Sequence, residues 1–175
     1  TIKQVEPTWV GKLLGSDLRV PPYQRPYSWG PATALQLLTD ITDAWHDSSR
    51  GDVPYVIGSV ILHGETDNVL NIVDGQQRLL TLTMILKILD GVDGTPFTCI
   101  PGNPVAVVWN ALSQRIEPWR LNQDNLANLK TFINDSCQFV QVVTDDPDEA
   151  FRVFDSQNYR GKPLAPHDLL KAHHL

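Results

Sequence analysis

The chain has 175 residues, a formal net charge of −6 and a hydrophobic content of 42%. These values are typical of a globular protein with one sizeable core. The negative charge argues against broad, sequence-independent adhesion to nucleic acid, because such binding needs many Lys and Arg side chains to neutralise phosphates, and leaves DNA contact to a local patch or to another part of the natural protein.

The strongest apolar run, residues 79–89, contains Thr81, Thr83 and Lys87 and is too short to cross a bilayer. No secretory signal pattern is present, and Cys99 and Cys137 support neither a disulfide framework nor a zinc site. We therefore predict a cytoplasmic protein without a membrane role. Because the chain begins without Met and stops within a helix-like segment, residues 168–175, we expect it to be a fragment of a longer protein.

The first third of the chain predicts two helices around a Pro-rich segment. Val10, Leu13 and Leu14 have helical spacing. Residues 20–29 should be extended, since proline disfavours the helical region for the residue before it. Pro31 then opens an amphipathic helix that we expect to end near Asp47.

The central third predicts a strand pair followed by a buried helix. Residues 55–62 form a β-branched run, Glu65–Asn68 resembles a hairpin connection, and residues 69–73 form the antiparallel neighbour. Gly58 inside the first strand permits close approach of another backbone segment. The segment Gln76–Leu89 is apolar on nearly every side and predicts the central helix.

The last third is less regular in its pattern. Residues 90–104 are rich in Gly and Pro and predict a long loop, and residues 105–116 fit either a strand or a helix. Downstream we predict a helix at residues 125–132, a strand at 139–143, and a helix capped by residues 144–149.

Chemistry is concentrated where the second strand meets the central helix, at Asp74-Gly75-Gln76-Gln77-Arg78, a turn that we expect at the edge of the sheet. The first turn of a helix has N–H groups without partners and a partial positive charge, so it favours a phosphate, and Arg78 adds donors. The alternative is that Asp74 caps the helix and Arg78 faces solvent. A P-loop mechanism is excluded because no Gly-x-x-x-x-Gly-Lys-Ser/Thr sequence occurs, and the five histidines lack metal-ligand spacing.

The Pro-rich segment carries a second patch of the same character. Rigid prolines can hold Arg25 in a fixed direction at little entropy cost. Tyr23 and Tyr27 either help to bind a nucleotide or, as we expect for the aromatic rings, plug the core.

A third motif, residues 154–164, follows the last helix. It is either a simple helix stop or a part of the nucleotide site to which Asn158, Arg160, Gly161 and Lys162 contribute. The chain thus carries three motifs in this order: Tyr-Gln-Arg-x-Tyr-x-Trp, Asp-Gly-Gln-Gln-Arg and Asn-x-x-Gly-x-x-Leu. With them it resembles the amino-terminal domain of GmrSD-type modification-dependent restriction proteins. The resemblance implies an α/β (α+β) fold with a small mixed sheet of the ParB/sulfiredoxin type. It divides the chain into a ParB-like nucleotide-binding core, residues 1–110, and a helical annex, residues 111–175, that closes the site.

The same resemblance implies a regulatory domain that binds and hydrolyses a nucleoside triphosphate with Mg²⁺ in a restriction or phage-defence protein. Asp74 would hold Mg²⁺, Gln77 or Gln76 would position water, and Arg78 would stabilise charge. Asn158 and Gly161 would shape the site. A carboxy-terminal or separate nuclease domain would be the partner, and modified DNA would be contacted through the full-length protein. Two alternatives remain, namely a catalytically silent nucleotide-sensing or DNA-binding module that gates the nuclease, and a purely structural interaction domain.

Overall fold

A computed structural model describes residues 1–19, 26–64, 69–94 and 102–160, with side chains as far as Val153. Within these residues the chain forms six α-helices and a five-stranded mixed sheet, which confirms the predicted α/β class. None of the helices in these ranges is long and apolar enough to cross a membrane.

The sheet combines strands from both ends of the chain. Its order is β1-β5-β3-β4-β2, with antiparallel pairing in β1/β5 and β3/β4 and parallel pairing in β5/β3 and β4/β2. The central strand β3 therefore has β5 on one side and β4 on the other. The strands are β1 (Ile2–Trp9), β2 (Leu18–Arg19), β3 (Tyr55–His63), β4 (Leu70–Asp74) and β5 (Cys137–Thr144).

The helices begin where the sequence supplies starting signals. Proline occupies the first turn of α2 and α4, Asn122 accepts hydrogen bonds at the start of α5, and Asp146 accepts them from the N–H groups of residues 148 and 149. Short 3₁₀ turns cover Ser48–Arg50 and Glu117–Leu121. The helices are α1 (Val10–Leu14), α2 (Pro31–His46), α3 (Gln76–Leu89), α4 (Pro104–Ile116), α5 (Gln123–Ser136) and α6 (Pro147–Arg160).

The two faces of the sheet are buried against different layers. Val60 and Leu62 point into the larger core, where they meet apolar residues of α2, α3, α4 and α5. The intervening Ile61 points the other way, into a small cluster that contains Ala150 of α6. Helix α3 thus lies on one face of the sheet and the start of α6 on the other.

Most of the predicted elements are confirmed. The central helix has the predicted bounds, its two preceding strands are antiparallel neighbours, and the strand at 139–143 extends to Cys137–Thr144. The ambiguous segment 105–116 is helical because Asn103 accepts a hydrogen bond from the Val105 N–H and Pro104 opens the helix. The predicted hairpin connection Glu65–Asn68 lies outside the described residues.

Three features differ from the sequence pattern or extend it. Strand β1 was not predicted, and it forms the edge of the sheet next to β5. The motif turn does not follow an edge strand, because the two-residue strand β2 pairs with β4 on its outer side. Strand β5 comes from the segment predicted as a helical annex, residues 111–175, and lies within the sheet; the division into a core and an annex remains a prediction.

Candidate functional site

A glycine with left-handed backbone geometry connects β4 to α3. Gly75 has φ +101°, and a Cβ atom placed on it would lie 2.8 Å from Cγ1 of Val60 and 3.3 Å from the carbonyl oxygen of Ser59. Both the backbone angle and the lack of space therefore require glycine. Gly75 occupies the N-cap position, whereas Asp74 is the last residue of β4 and lies opposite Ile61. Asp74 therefore lies one residue before the N-cap position.

The first turn of α3 is fixed by burial. Gln76 is 3% exposed and Leu79 is 2% exposed, and the Leu79 N–H donates to the carbonyl oxygen of Gly75 at 3.1 Å. Leu79 belongs to the larger core together with the rest of the buried face of the helix. The start of α3 consequently has little freedom left to lose when a ligand binds.

The Arg78 side chain lies against the central strand. It is exposed, and its guanidinium covers Gly58 of β3: a Cβ atom on Gly58 would be 2.6 Å from Nη1 and 3.2 Å from Cζ of Arg78. Arg78 forms no ion pair among the residues that the structure describes. The group that lies close to Gly58 is therefore the side chain of the motif arginine and not the backbone segment that the sequence predicted.

Gln77 joins α3 to the end of the Pro-rich segment. Its Oε1 accepts a hydrogen bond from the Ser28 N–H at 2.9 Å, and its Nε2 donates to the carbonyl oxygen of Pro26 at 3.4 Å. One side chain thus binds two backbone groups of the same short stretch, 26–28. We call this pair of bonds the Gln77 clamp. It leaves the amide one further N–H and one further lone pair.

Tyr27 reinforces the same attachment from inside the core. The ring is 8% exposed, and the hydroxyl lies 2.8 Å from Oγ1 of Thr81, which itself donates to the carbonyl oxygen of Gln77 at 2.7 Å. Since that Thr81 proton is already used, the Tyr27 hydroxyl is the donor to Thr81. Burial raises the pKa of the Tyr27 phenol above its usual range. The structure therefore gives Tyr27 the packing role and not a position on an open binding surface.

A second arginine lies near Arg78 and was not recognised in the sequence. Arg50 donates from Nη2 to the carbonyl oxygen of Pro54 at 2.9 Å, and its Cζ lies 5.3 Å from the centroid of the Tyr55 ring. Burial raises the pKa of the Tyr55 phenol, and the positive charges of Arg50 and Arg78 lower it. No periodicity or motif marks Arg50 and Tyr55, so only the folded arrangement reveals that they lie near the site.

An open groove of about 480 Å³ lies beside Arg50 at the starts of β3 and β5. Its walls are mixed in character, with tryptophan rings and carboxylates facing the same space. None of the five residues 74–78 lines it. The lining includes Trp9, Trp45, Asp47, Arg50, Asp52 and Asp135.

Several predicted site residues lie outside the part of the chain whose side chains the structure describes. Tyr23, Arg25, Gly161 and Lys162 lie outside the described residues, and for Asn158 and Arg160 the structure describes only the helical backbone of α6. Their predicted roles at a nucleotide remain predictions. Among the described residues there is no group of three or more His, Cys, Asp or Glu side chains that could hold a metal ion.

Comparison with known families agrees with the motifs. A family model described as GmrSD restriction endonuclease, N-terminal domain, matches residues 10–175. The chain belongs to this family. A search among curated proteins found no match. Membership makes this GmrSD N-terminal domain part of a restriction or phage-defence protein, whereas the relationship to ParB and sulfiredoxin remains a prediction.

Proposed function

We propose that this GmrSD N-terminal domain binds a nucleoside triphosphate at the start of α3 and hydrolyses it with Mg²⁺. The observation that carries the proposal is the turn at Gly75, which ends a strand and begins a helix whose first turn is fixed in the core. The N–H groups of such a turn favour phosphate oxygens, and their fixed position keeps the entropy cost of binding low.

Arg78 supplies the positive charge in this proposal. Its guanidinium is exposed beside the first turn of α3 and has no ion-pair partner among the described residues, so its donors can serve a ligand. A planar guanidinium can bind two phosphate oxygens at once.

The Gln77 clamp supports a contribution from Arg25. The clamp holds the carbonyl group of Pro26, the residue that directly follows Arg25 in the sequence. We propose that this attachment keeps Arg25 beside the phosphates. The N–H and the lone pair that remain on the Gln77 amide could also orient an attacking water, as glutamine does in some nucleotide hydrolases.

Asp74 is the carboxylate that fits Mg²⁺ in this arrangement. It ends β4 directly before the phosphate-binding turn, and Mg²⁺ uses one or two carboxylates together with phosphate oxygens. When bound, the ion would neutralise charge on those oxygens. The protein itself contributes orientation and charge stabilisation through Arg78 and the backbone of the first turn. Asn158 and Gly161 would shape the far side of the site, with Arg160 and Lys162 near the phosphates.

The partner in this proposal is a nuclease domain, either carboxy-terminal to this one or on a separate chain, whose activity the bound nucleotide regulates. Modified DNA would be contacted through the full-length protein. In the competing function the same site senses the nucleotide without turnover and gates the nuclease by binding alone.

Titration calorimetry with the four common nucleoside triphosphates and Mg²⁺ tests the site. We expect Arg78→Ala to lower affinity by roughly 1.5–3 kcal/mol, the range for a charged hydrogen bond, with an unchanged melting temperature. Arg115→Ala is the matched control, because Arg115 is an exposed arginine on α4 whose side chain makes one long hydrogen bond among the described residues, to Thr39 at 3.4 Å. If the Arg78→Ala variant melts early yet binds nucleotide as wild type does, Arg78 is a structural residue and this placement of the site is refuted.

Phosphate release separates hydrolysis from sensing. We expect wild type to release phosphate and Asp74→Ala to lose release more than binding. Heat of binding without any phosphate release would favour the nucleotide sensor. An absence of heat with all four nucleotides would favour a structural interaction domain.

A further inference from the structure

Gly58 is an unexpected residue at the centre of the sheet. Glycine weakens the interior of a strand because it has high conformational entropy and no side chain to pack. Its φ angle is not in the positive range, where Gly51, Gly75, Gly91 and Gly102 lie. The backbone at Gly58 would therefore accept any L-residue, and the reason for glycine must be space.

The space is filled by the Arg78 guanidinium. The three heavy atoms nearest to a Cβ on Gly58 would be Nη1, Cζ and Nε of Arg78, at 2.6, 3.2 and 3.7 Å. All three belong to the planar end of one side chain. With alanine at this position, the guanidinium would have to shift away from its present position against β3.

A bulge in β3 brings this place next to α3. The register between β3 and β5 shifts between Val56 and Gly58. In a regular strand, Tyr55 and Gly58 would point to opposite faces. The extra residue places both on the face that carries α3, where Tyr55 packs against the larger core and Arg78 covers Gly58.

We propose that Gly58 is a positioning residue for phosphate binding: by having no side chain, it provides a seat that holds the Arg78 guanidinium beside the first turn of α3. The inference rests on the proposed function and deepens it. A free arginine side chain loses much rotamer entropy when it binds a ligand. A guanidinium already confined against β3 loses less, so its contribution to the affinity for a triphosphate is larger.

Gly58→Ala tests the seat while leaving the arginine in place. We expect roughly tenfold weaker binding of Mg²⁺-ATP, -GTP, -CTP or -UTP, whichever wild type binds, because the charged hydrogen bonds of Arg78 are displaced. The melting temperature should be unchanged or higher, since alanine is less costly than glycine within a strand. Gly30→Ala is the matched control, because Gly30 has negative φ and no atom within 4 Å of an added Cβ. Its affinity should equal that of wild type.

A double-mutant cycle shows whether Gly58 acts through Arg78. In the Arg78→Ala background, Gly58→Ala should have no further effect on affinity. An equal loss of affinity with and without the guanidinium, or a melting temperature well below that of wild type, would overturn the proposal, because Gly58 would then serve the strand itself.

The cycle also distinguishes this inference from the proposed function. If Arg78→Ala weakens binding and Gly58→Ala binds like wild type, the seat is wrong and the phosphate site stands. If Arg78→Ala binds like wild type, the phosphate site fails first.

Discussion

Arg50 and Arg78 both lower the pKa of the Tyr55 phenol, but the surroundings of the two side chains differ. Arg50 is half-buried, donates to the carbonyl oxygen of Pro54 and covers the Tyr55 ring. Arg78 is exposed, lies over the bare backbone of Gly58 and has no ion pair within the described chain. Both lower the pKa of Tyr55 against the effect of burial. Arg50 thus has a hydrogen bond and an aromatic contact within the fold, whereas Arg78 has neither among the described residues.

The difference shows that residue type alone does not indicate function. A guanidinium has five N–H donors, and what matters is how many of them the protein itself occupies. Arg50 is not part of any recognised motif, and the structure uses it to hold the start of β3. Arg78 lies in a motif, and glycine is placed beneath it at some cost to the strand. The two side chains should therefore respond differently to the same substitution.

Gly75→Ala should have the largest effect, because it moves the turn that carries Arg78. A left-handed backbone angle costs a non-glycine residue about 1–2 kcal/mol, and the added Cβ would meet Val60 at 2.8 Å. We expect a loss of about 2–4 kcal/mol in the free energy of unfolding, measured by urea denaturation, together with loss of nucleotide binding. Gly91→Ala provides the control, since Gly91 has φ +78° with open space around it. An equal loss in both variants would remove the contact with Val60 from the explanation.

Arg50→Ala should be the converse of Arg78→Ala. Loss of the Pro54 hydrogen bond and of the contact with the Tyr55 ring should reduce the free energy of unfolding by about 1–2 kcal/mol. Nucleotide affinity, measured by calorimetry on the folded variant, should stay at the wild-type value. A selective loss of affinity with unchanged denaturation would show that Arg50 also serves the ligand, and the contrast between the two arginines would break down.

Tyr27→Phe tests the attachment of residues 26–28 to the helix that carries Arg78. The variant loses one buried hydrogen bond to Thr81, so thermal and urea denaturation should show a loss of about 1 kcal/mol. In a double-mutant cycle with Thr81→Val, the two losses should not add, because both remove the same bond. Strict additivity would show that the Tyr27 hydroxyl and Thr81 act independently.

The free energy of unfolding should depend on pH in alkaline solution, but not at neutral pH, because of the buried thiol of Cys137 close to Arg50. Burial raises the pKa of this thiol to about 12, and the positive charge of Arg50 opposes the shift. Below the ordinary thiol pKa of about 8.5, both the native and the unfolded thiol keep their proton. Between that value and about 12 only the native state keeps it, so stability should fall as pH rises, by at most about 1.4 kcal/mol per pH unit.

Urea denaturation of wild type and Cys137→Ala from pH 8 to pH 11 checks this slope. Cys137→Ala should be less stable near pH 8 because a buried side chain is shortened, and its stability should fall less steeply above that pH. Val142→Ala is the control, because it shortens a buried side chain of the same strand without removing a titratable group, and it should retain the wild-type slope. Parallel curves for Cys137→Ala and wild type would contradict a protected native thiol.

The elements around the site could be predicted because their signals are local. An Asp-Gly step after a β-branched run and before a long apolar segment is sufficient to predict the β4–α3 connection. Glycine within a strand indicated that something lies close to Gly58, but the sequence predicted a backbone segment where the structure has a side chain. The neighbour at Gly58 could not be predicted, since Arg78 reaches it only after the strand pair and the helix have packed. The Gln77 clamp was missed for the same reason, because a bond from a side chain to a distant backbone group has no signature in the sequence.

Strand β1 could not be predicted because its structure depends on pairing and not on pattern. The segment IKQVEPTW has no alternation of apolar and polar residues and contains Pro7, which disfavours a central strand. It is a strand because β5 pairs along it from Ile2 to Trp9. At an edge, a proline needs no hydrogen-bond partner on its outer side, so Pro7 is tolerated opposite Val140.

The position of β5 between β1 and β3 also sets an order of events during synthesis. Strand β1 leaves the ribosome first, yet its partner begins at Cys137 and, at about 5–20 residues per second, emerges only several seconds later. Until then β1 has an unpaired backbone, while β3, β4 and α3 can associate because they are close in sequence. We expect nascent chains stalled before Cys137 to protect the β3–β4–α3 unit from proteolysis and to leave β1 open to cleavage. The turn at Gly75 and the contact between Arg78 and Gly58 would then form before β5 completes the sheet.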